Sequence, residues 1–173
     1  MHEIAVRAQD ECISQRFFSV PAGKSHYYCD AAILFGENVA TKFPATSFDI
    51  EEAGKCLALD RATASVFHLV RVMELGLRAL ARGLGIPYAP SWESYLRQIE
   101  TKISEKHGKK SRAWKRDEHF YRDVAGDLQL VKIAWRNPTM HVGRKYTPEE
   151  AEDVFRAVKA FMQRLSSKQR VGV

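Results

Sequence analysis

The chain has 173 residues and a net charge of +6, with 45% hydrophobic and 28% charged residues. That length fits one domain with or without a short appendage, and the balanced composition excludes a wholly disordered chain. No apolar run is long enough to span a membrane, and neither a secretory leader nor a cysteine framework is visible. We therefore expect a cytoplasmic globular protein that makes no membrane contact.

The first 48 residues are predicted to form a small N-terminal helical appendage that packs on the remainder. Residues 4–18 can form one helix. Residues 28–42 hold apolar material that Gly36 interrupts, so their structure is harder to derive from the sequence.

After residue 48, apolar residues recur three and four positions apart, as is typical of helices. The first helix is predicted to be continuous over residues 49–84, because no proline interrupts it and Asp49 and Glu52 have the spacing of a capping box. Its apolar stripe is wide, so neighbours must cover it from more than one side. Ser91 is predicted to cap a second helix that reaches about residue 106.

A third helix is predicted over residues 111–136. It ends ahead of Pro138, because the residue before a proline avoids the helical region of backbone space. Thr147 and Glu150 have the spacing of a capping box for the last helix, which reaches about residue 166.

These four helices predict an all-α protein. Short connections favour antiparallel neighbours, so we expect an antiparallel four-helix bundle over residues 49–167. Residues 168–173 are short and polar and are predicted to form a flexible tail.

Positive charge is concentrated between residues 101 and 116. Seven lysines and arginines stand there against one glutamate, so this segment alone carries +6. Binding of such a segment to a polyanion releases condensed counterions, which favours contacts with an RNA backbone. The candidate RNA-binding residues are Lys109, Lys110, Arg112, Lys115 and Arg116. The alternative is a solvated loop between two helices.

Most familiar catalytic and cofactor signatures are missing. The sequence has no phosphate-binding glycine loop, no HExxH motif and no cysteine cluster for zinc. A Glu-x-x-His pair for a di-iron site is also missing. We therefore expect neither a metal nor an organic cofactor.

The segment that carries candidate chemistry joins the last two predicted helices. It contains Arg136, then Asn137 and three further residues, and then His141. Histidine can transfer a proton near neutral pH, and arginine can bind a phosphate oxygen pair without losing its charge. The alternative is structural: Arg136 and Asn137 cap the helix end while His141 packs in the turn.

This Arg-x4-His motif, with a polar residue after the arginine and a position between the last two long helices of a bundle, resembles the HEPN superfamily. The resemblance covers roughly residues 49–166 and implies a homodimeric, metal-independent endoribonuclease in a toxin or phage-defence role. It implies RNA as the substrate and an antitoxin or another protein as a possible partner. It also implies catalytic roles for Arg136, His141 and Asn137, with 2′,3′-cyclic phosphate products. Other members only dimerise or bind nucleotides or proteins, which is the alternative function.

Polar residues also interrupt the long apolar helix. Glu74 and His68 are candidates for holding Arg136 in place from behind the site. The alternative is a solvated stripe in which Glu74 pairs with Arg71 and Arg78 on the same helix.

Overall fold

A computed structural model describes residues 2–15, 18–105, 112–131, 143 and 145–168. Its α-helices are α1 (His2–Ser14), α2 (Ala31–Phe35), α3 (Glu37–Lys42), α4 (Ser47–Ala58), α5 (Ala62–Gly83), α6 (Trp92–Ser104), α7 (Arg112–Val131) and α8 (Pro148–Ser166). Two short 3-10 helices cover Ala22–Tyr27 and Pro44–Thr46. Every regular element in these ranges is helical, which confirms the all-α prediction.

The single helix expected over residues 49–84 is wrong, because the chain turns between α4 and α5. Asp60 lies in the left-handed region at φ 56°, a conformation that aspartate tolerates better than most residues. The Lys24 ammonium pairs with the Asp60 carboxylate at this turn. α4 then packs against α5, and the Ser65 hydroxyl donates to the Ala53 carbonyl at 2.9 Å.

The capping box expected at Asp49 and Glu52 is also wrong. α4 begins earlier, at Ser47, and its N-cap Thr46 makes no side-chain cap hydrogen bond. Asp49 is 3% exposed and its carboxylate bonds to α5 instead. A long-range contact has therefore replaced the local one that the spacing favours.

Two other predicted helix starts are confirmed. The Ser91 hydroxyl accepts from the backbone N–H of Ser94 at 3.2 Å and caps α6. At α8, Thr147 and Glu150 form the reciprocal capping box, with hydrogen bonds of 3.0 and 3.2 Å. The predicted ends of the second and third helices, at residues 106 and 136, lie outside the described residues.

α5 is the central helix of the core, in contact with α4, α6, α7 and α8. It approaches α8 closely at Gly76, where an added Cβ would lie 2.5 Å from Phe161 Cε1 and 2.9 Å from Met162 Sδ. Glycine is therefore the residue that this crossing accommodates. The covering of α5 from several sides agrees with its wide apolar stripe.

The N-terminal helices contribute to the same core as the rest of the chain. Phe35 and Phe43 are 0% and 1% exposed, and the Gln163 amide of α8 donates to the Phe35 carbonyl at 3.0 Å. α1 differs, because its Ile4 and Ile13 side chains are each 74% exposed. The division at residue 48 stays a prediction.

At the other end, the Lys168 ammonium pairs with Asp117 of α7. The last five residues of the predicted tail, 169–173, lie outside the described residues. No helix in the described ranges is long and apolar enough to cross a membrane.

Candidate functional site

The predicted catalytic residues Arg136, Asn137 and His141 lie outside the described residues. The segment that contains them begins after Val131 at the end of α7. Its far end is fixed: Tyr146 is 6% exposed, and its backbone N–H donates to the Thr63 hydroxyl at 3.1 Å. Tyr146, five residues after His141 in the sequence, therefore lies at the first turn of α5.

The predicted basic residues are only partly described. Lys109 and Lys110 lie outside the described residues, and Arg112 starts α7 but its side chain is not described. Lys115 and Arg116 are exposed, and Arg116 Nε lies 3.5 Å from the Asp117 carboxylate.

Asp117 reduces the positive charge at the start of α7. The hydrogen bond from Lys168 lowers the pKa of the Asp117 carboxyl, and a weaker one from Arg116 acts in the same direction. The Lys168 ammonium also lies 5.0 Å from the ring centroid of Phe120. Two of the cations near this end of α7 thus have an acidic neighbour, whereas Lys115 has no ion-pair partner in the described part of the chain.

A polar cluster occupies the junction of α4 and α5. The buried Asp49 carboxylate oxygen Oδ1 lies 2.9 Å from His68 Nδ1 and accepts from Arg71 Nε at 2.8 Å. The hydrogen bond to Asp49 raises the pKa of Arg71. One buried anion thus orients an imidazole and a guanidinium on the same face of α5.

Glu74 lies one turn beyond Arg71 and bonds to another helix. Its Oε1 atom accepts from the indole N–H of Trp92, at the start of α6, at 3.2 Å. Within the described residues, Glu74 forms no ion pair with Arg71 or Arg78, so the self-paired stripe is not found there. His68 and Glu74 each have a partner that the motif does not supply, and their predicted role behind Arg136 stays a prediction.

Two adjoining clefts open beside this polar face. The first, here named the α5–α6 cleft, has a volume of about 140 Å³. Its lining includes Glu74, Leu77, Arg78, Tyr88, Trp92 and Tyr95. The second cleft, of about 200 Å³, lies against Asp49, Arg71, Glu74, Leu75 and Arg78. The clefts share Glu74 and Arg78.

Sequence reasoning missed two members of this site. The spacing predicts Asp49 as part of a helix cap, and no sequence pattern marks Trp92 as a hydrogen-bond partner of α5. The available signal was the set of charged residues on the otherwise apolar α5, because buried or half-buried charges need partners from somewhere. The sequence does not show which residues those partners are, since Asp49 precedes His68 by 19 positions and Trp92 follows Glu74 by 18.

No group of three or more His, Cys, Asp or Glu residues in the described ranges is arranged to hold a metal ion. No protein-family model matches the chain, and no curated protein or solved structure is significantly similar to it.

Proposed function

We propose that the protein is a metal-independent endoribonuclease with a HEPN-like four-helix bundle formed by α5, α6, α7 and α8. Arg136 and His141 are its catalytic residues, and RNA is its substrate. A homodimer is the proposed active form.

The observation that carries this proposal is the position of the Arg-x4-His motif between two helices that pack on each other. α7 contacts α8, and Arg164 Nη1 of α8 lies 2.8 Å from the Asp127 carboxylate of α7. The capping box at Thr147 fixes where α8 starts. The two helices that flank the motif are therefore packed on each other, and catalytic groups that act together need such a fixed scaffold.

RNA carries its own nucleophile in the 2′-hydroxyl, so the enzyme has three tasks. It removes the hydroxyl proton, neutralises the charge that develops on the phosphorane and protonates the leaving 5′-oxygen. His141 acts as base or acid, and the partner's His141 takes the other role across a two-fold axis. Arg136 binds the scissile phosphate, and Asn137 orients the phosphate or the imidazole. DNA lacks the nucleophile and is not cut.

The polar cluster on α5 is the proposed support of this site. His68 lies five residues, or about 7.5 Å along the helix axis, from Thr63, which accepts the hydrogen bond from Tyr146. Glu74 is about 16.5 Å from Thr63 by the same measure. Of the two residues predicted to stand behind Arg136, we therefore favour His68, which is nearer along α5 to the contact with Tyr146.

The test is cleavage of single-stranded RNA and of matched DNA by the purified protein in EDTA. We expect only the RNA to be cut, leaving cyclic phosphate ends, and we expect His141→Ala and Arg136→Ala each to lower the rate by about 10²–10⁴-fold. His119→Ala is the matched control, because His119 is 92% exposed on α7 and bonds to Asp123. Unchanged cleavage by folded His141→Ala would refute the assignment.

A second candidate is a non-catalytic module that uses the same bundle to dimerise or to bind a nucleotide or protein. The exposed Ile4 and Ile13 side chains of α1, which lies outside the bundle, favour a binding role, because a protein partner would cover them. A folded wild-type protein that binds RNA or self-associates without cutting RNA would support this candidate instead.

A further inference from the structure

The α5–α6 cleft has the size and lining of a pocket for one flat ring. Leu77 and Ala89 are buried apolar residues of its lining, and Tyr88 contributes a ring that is 79% exposed. The Tyr88 ring packs edge-on against Tyr95, with the ring centroids 6.4 Å apart. Because the Tyr88 ring is positioned by Tyr95 and stays largely in solvent, it offers a surface on which a base can stack.

The cleft is lined by two charged side chains, Glu74 and Arg78, which are of opposite sign. The indole N–H of Trp92 donates to Oε1 of Glu74, whereas Oε2 receives no hydrogen bond from the described residues. Arg78 is exposed and has neither a hydrogen bond nor an ion pair with any residue that the structure describes. The cleft thus presents one oriented acceptor and one available guanidinium.

We propose that this cleft binds an unpaired guanine base of the RNA. The Watson–Crick edge of guanine carries two adjacent N–H donors, which match the carboxylate of Glu74. Tyr88 stacks on the base, and Arg78 stacks on it or pairs with the flanking phosphate. Adenine and the pyrimidines lack this pair of adjacent donors. The inference rests on the proposed function for its choice of RNA as the ligand.

The described residue next after the motif connection to contact α5 is Tyr146, whose backbone N–H donates to the Thr63 hydroxyl. Glu74 is about 16.5 Å along α5 from Thr63. Recognition of a base in the cleft gives the proposed enzyme a sequence preference.

The experiment measures the binding of fluorescent twelve-nucleotide RNAs by anisotropy, in the His141→Ala protein so that the RNA stays intact. The probes are an all-uridine RNA and three others with a single central G, A or C. We expect the G probe to bind at least tenfold more tightly than the other three. We expect Glu74→Gln to reduce that preference to about twofold while binding to the all-uridine RNA stays unchanged, because Gln still accepts from Trp92 but offers guanine one acceptor fewer.

Tyr88→Ala and Arg78→Ala should weaken binding to all four probes by about fivefold or more, since stacking and charge do not depend on the base. Arg82→Ala is the matched control for Arg78: it is exposed on the same helix, lies outside the lining of the cleft and should leave binding unchanged. The melting temperature of each variant establishes that it is folded.

Equal affinity for the four probes would overturn the proposal, and so would a guanine preference that survives Glu74→Gln in a folded protein. These results are independent of cleavage. A wild-type protein that prefers the G probe but cuts no RNA would refute the nuclease and support the cleft. Cleavage of RNA without any guanine preference in binding would support the nuclease and refute the guanine site in the cleft.

Discussion

Along α5, one face packs Leu69 and Met73 into the core with no exposed surface. The other face carries His68, which bonds to Asp49, and Arg71 and Glu74, which line the clefts. The inner face depends on shape, since Gly76 leaves room only for the α8 side chains that cross it. The outer face depends on hydrogen-bond partners from α4 and α6. One helix is thus stabilised by close packing on one side and by polar pairing on the other.

This difference means that the two faces should respond to different kinds of substitution. The inner face should be sensitive to added volume, because a close-packed interior has no space to absorb it. The outer face should be sensitive to the loss of an acceptor, because a half-buried donor is then left unmatched. The outer face, which lines the clefts, is also the one available to a ligand.

The largest stability effect is expected at Gly76. Gly76→Ala places a methyl group against Phe161 and Met162, so we expect the free energy of unfolding to fall by about 1–3 kcal/mol. Gly126→Ala is the matched control, since an added Cβ there meets nothing within 4 Å and alanine favours a helix by up to about 1 kcal/mol. Urea unfolding measures both, and equal responses would contradict the close crossing of α5 and α8.

A smaller effect is expected from the outer face at Asp49. Asp49→Ala removes the acceptor shared by His68 and Arg71, and we expect a loss of about 1–2 kcal/mol, because the half-exposed Arg71 can be rehydrated. Asp153→Ala removes a solvent-exposed pair with Arg156 and should change stability by less than Asp49→Ala does. Thermal unfolding that ranks these two variants in the opposite order would contradict a structural role for the buried carboxylate.

The smallest expected effect is the pH dependence of stability at two aspartates of α7, Asp117 and Asp127, which should have opposite signs. Lys168 lowers the pKa of Asp117, so its contribution is present above the usual pKa of about 3.9 and is lost as pH falls through the lowered value. Burial raises the pKa of Asp127 despite Arg164, so its carboxylate costs stability at neutral pH, and that cost is relieved as pH falls through the raised value.

Stability measured from pH 7 down to 3 tests this contrast against the two asparagine variants. Relative to Asp117→Asn, the wild type should lose stability on acidification. Relative to Asp127→Asn, it should gain stability. Curves of the same sign for both variants would refute the assignment of these two pKa shifts.

The parts of the fold that sequence could predict are those decided within a few residues. The caps at Ser91 and Thr147 depend on side chains three positions from the backbone groups they satisfy. The turn at Asp60 escaped prediction because no glycine or proline marks it and the apolar repeat continues through it, both helices facing one core.

In the candidate site too, local features could be predicted from the sequence and long-range contacts could not. The presence of unmatched charges on α5 was visible in the sequence, and so was the Arg136 to His141 motif. The partners of those charges were not visible, because Asp49 and Trp92 reach α5 only through tertiary packing. The spacing of Asp49 and Glu52 satisfied a local rule, yet the carboxylate is stabilised by two donors on another helix.

The hydrogen bond from Gln163 to the Phe35 carbonyl joins positions 128 residues apart, whereas Ser65 reaches Ala53 across only 12. On the ribosome, the α4–α5 hairpin can close as soon as both helices have emerged, because its loop is short. Phe35 and its neighbours must wait for α8, so the core stays open until synthesis has passed residue 163. During that interval the nascent chain exposes apolar surface that a chaperone can recognise.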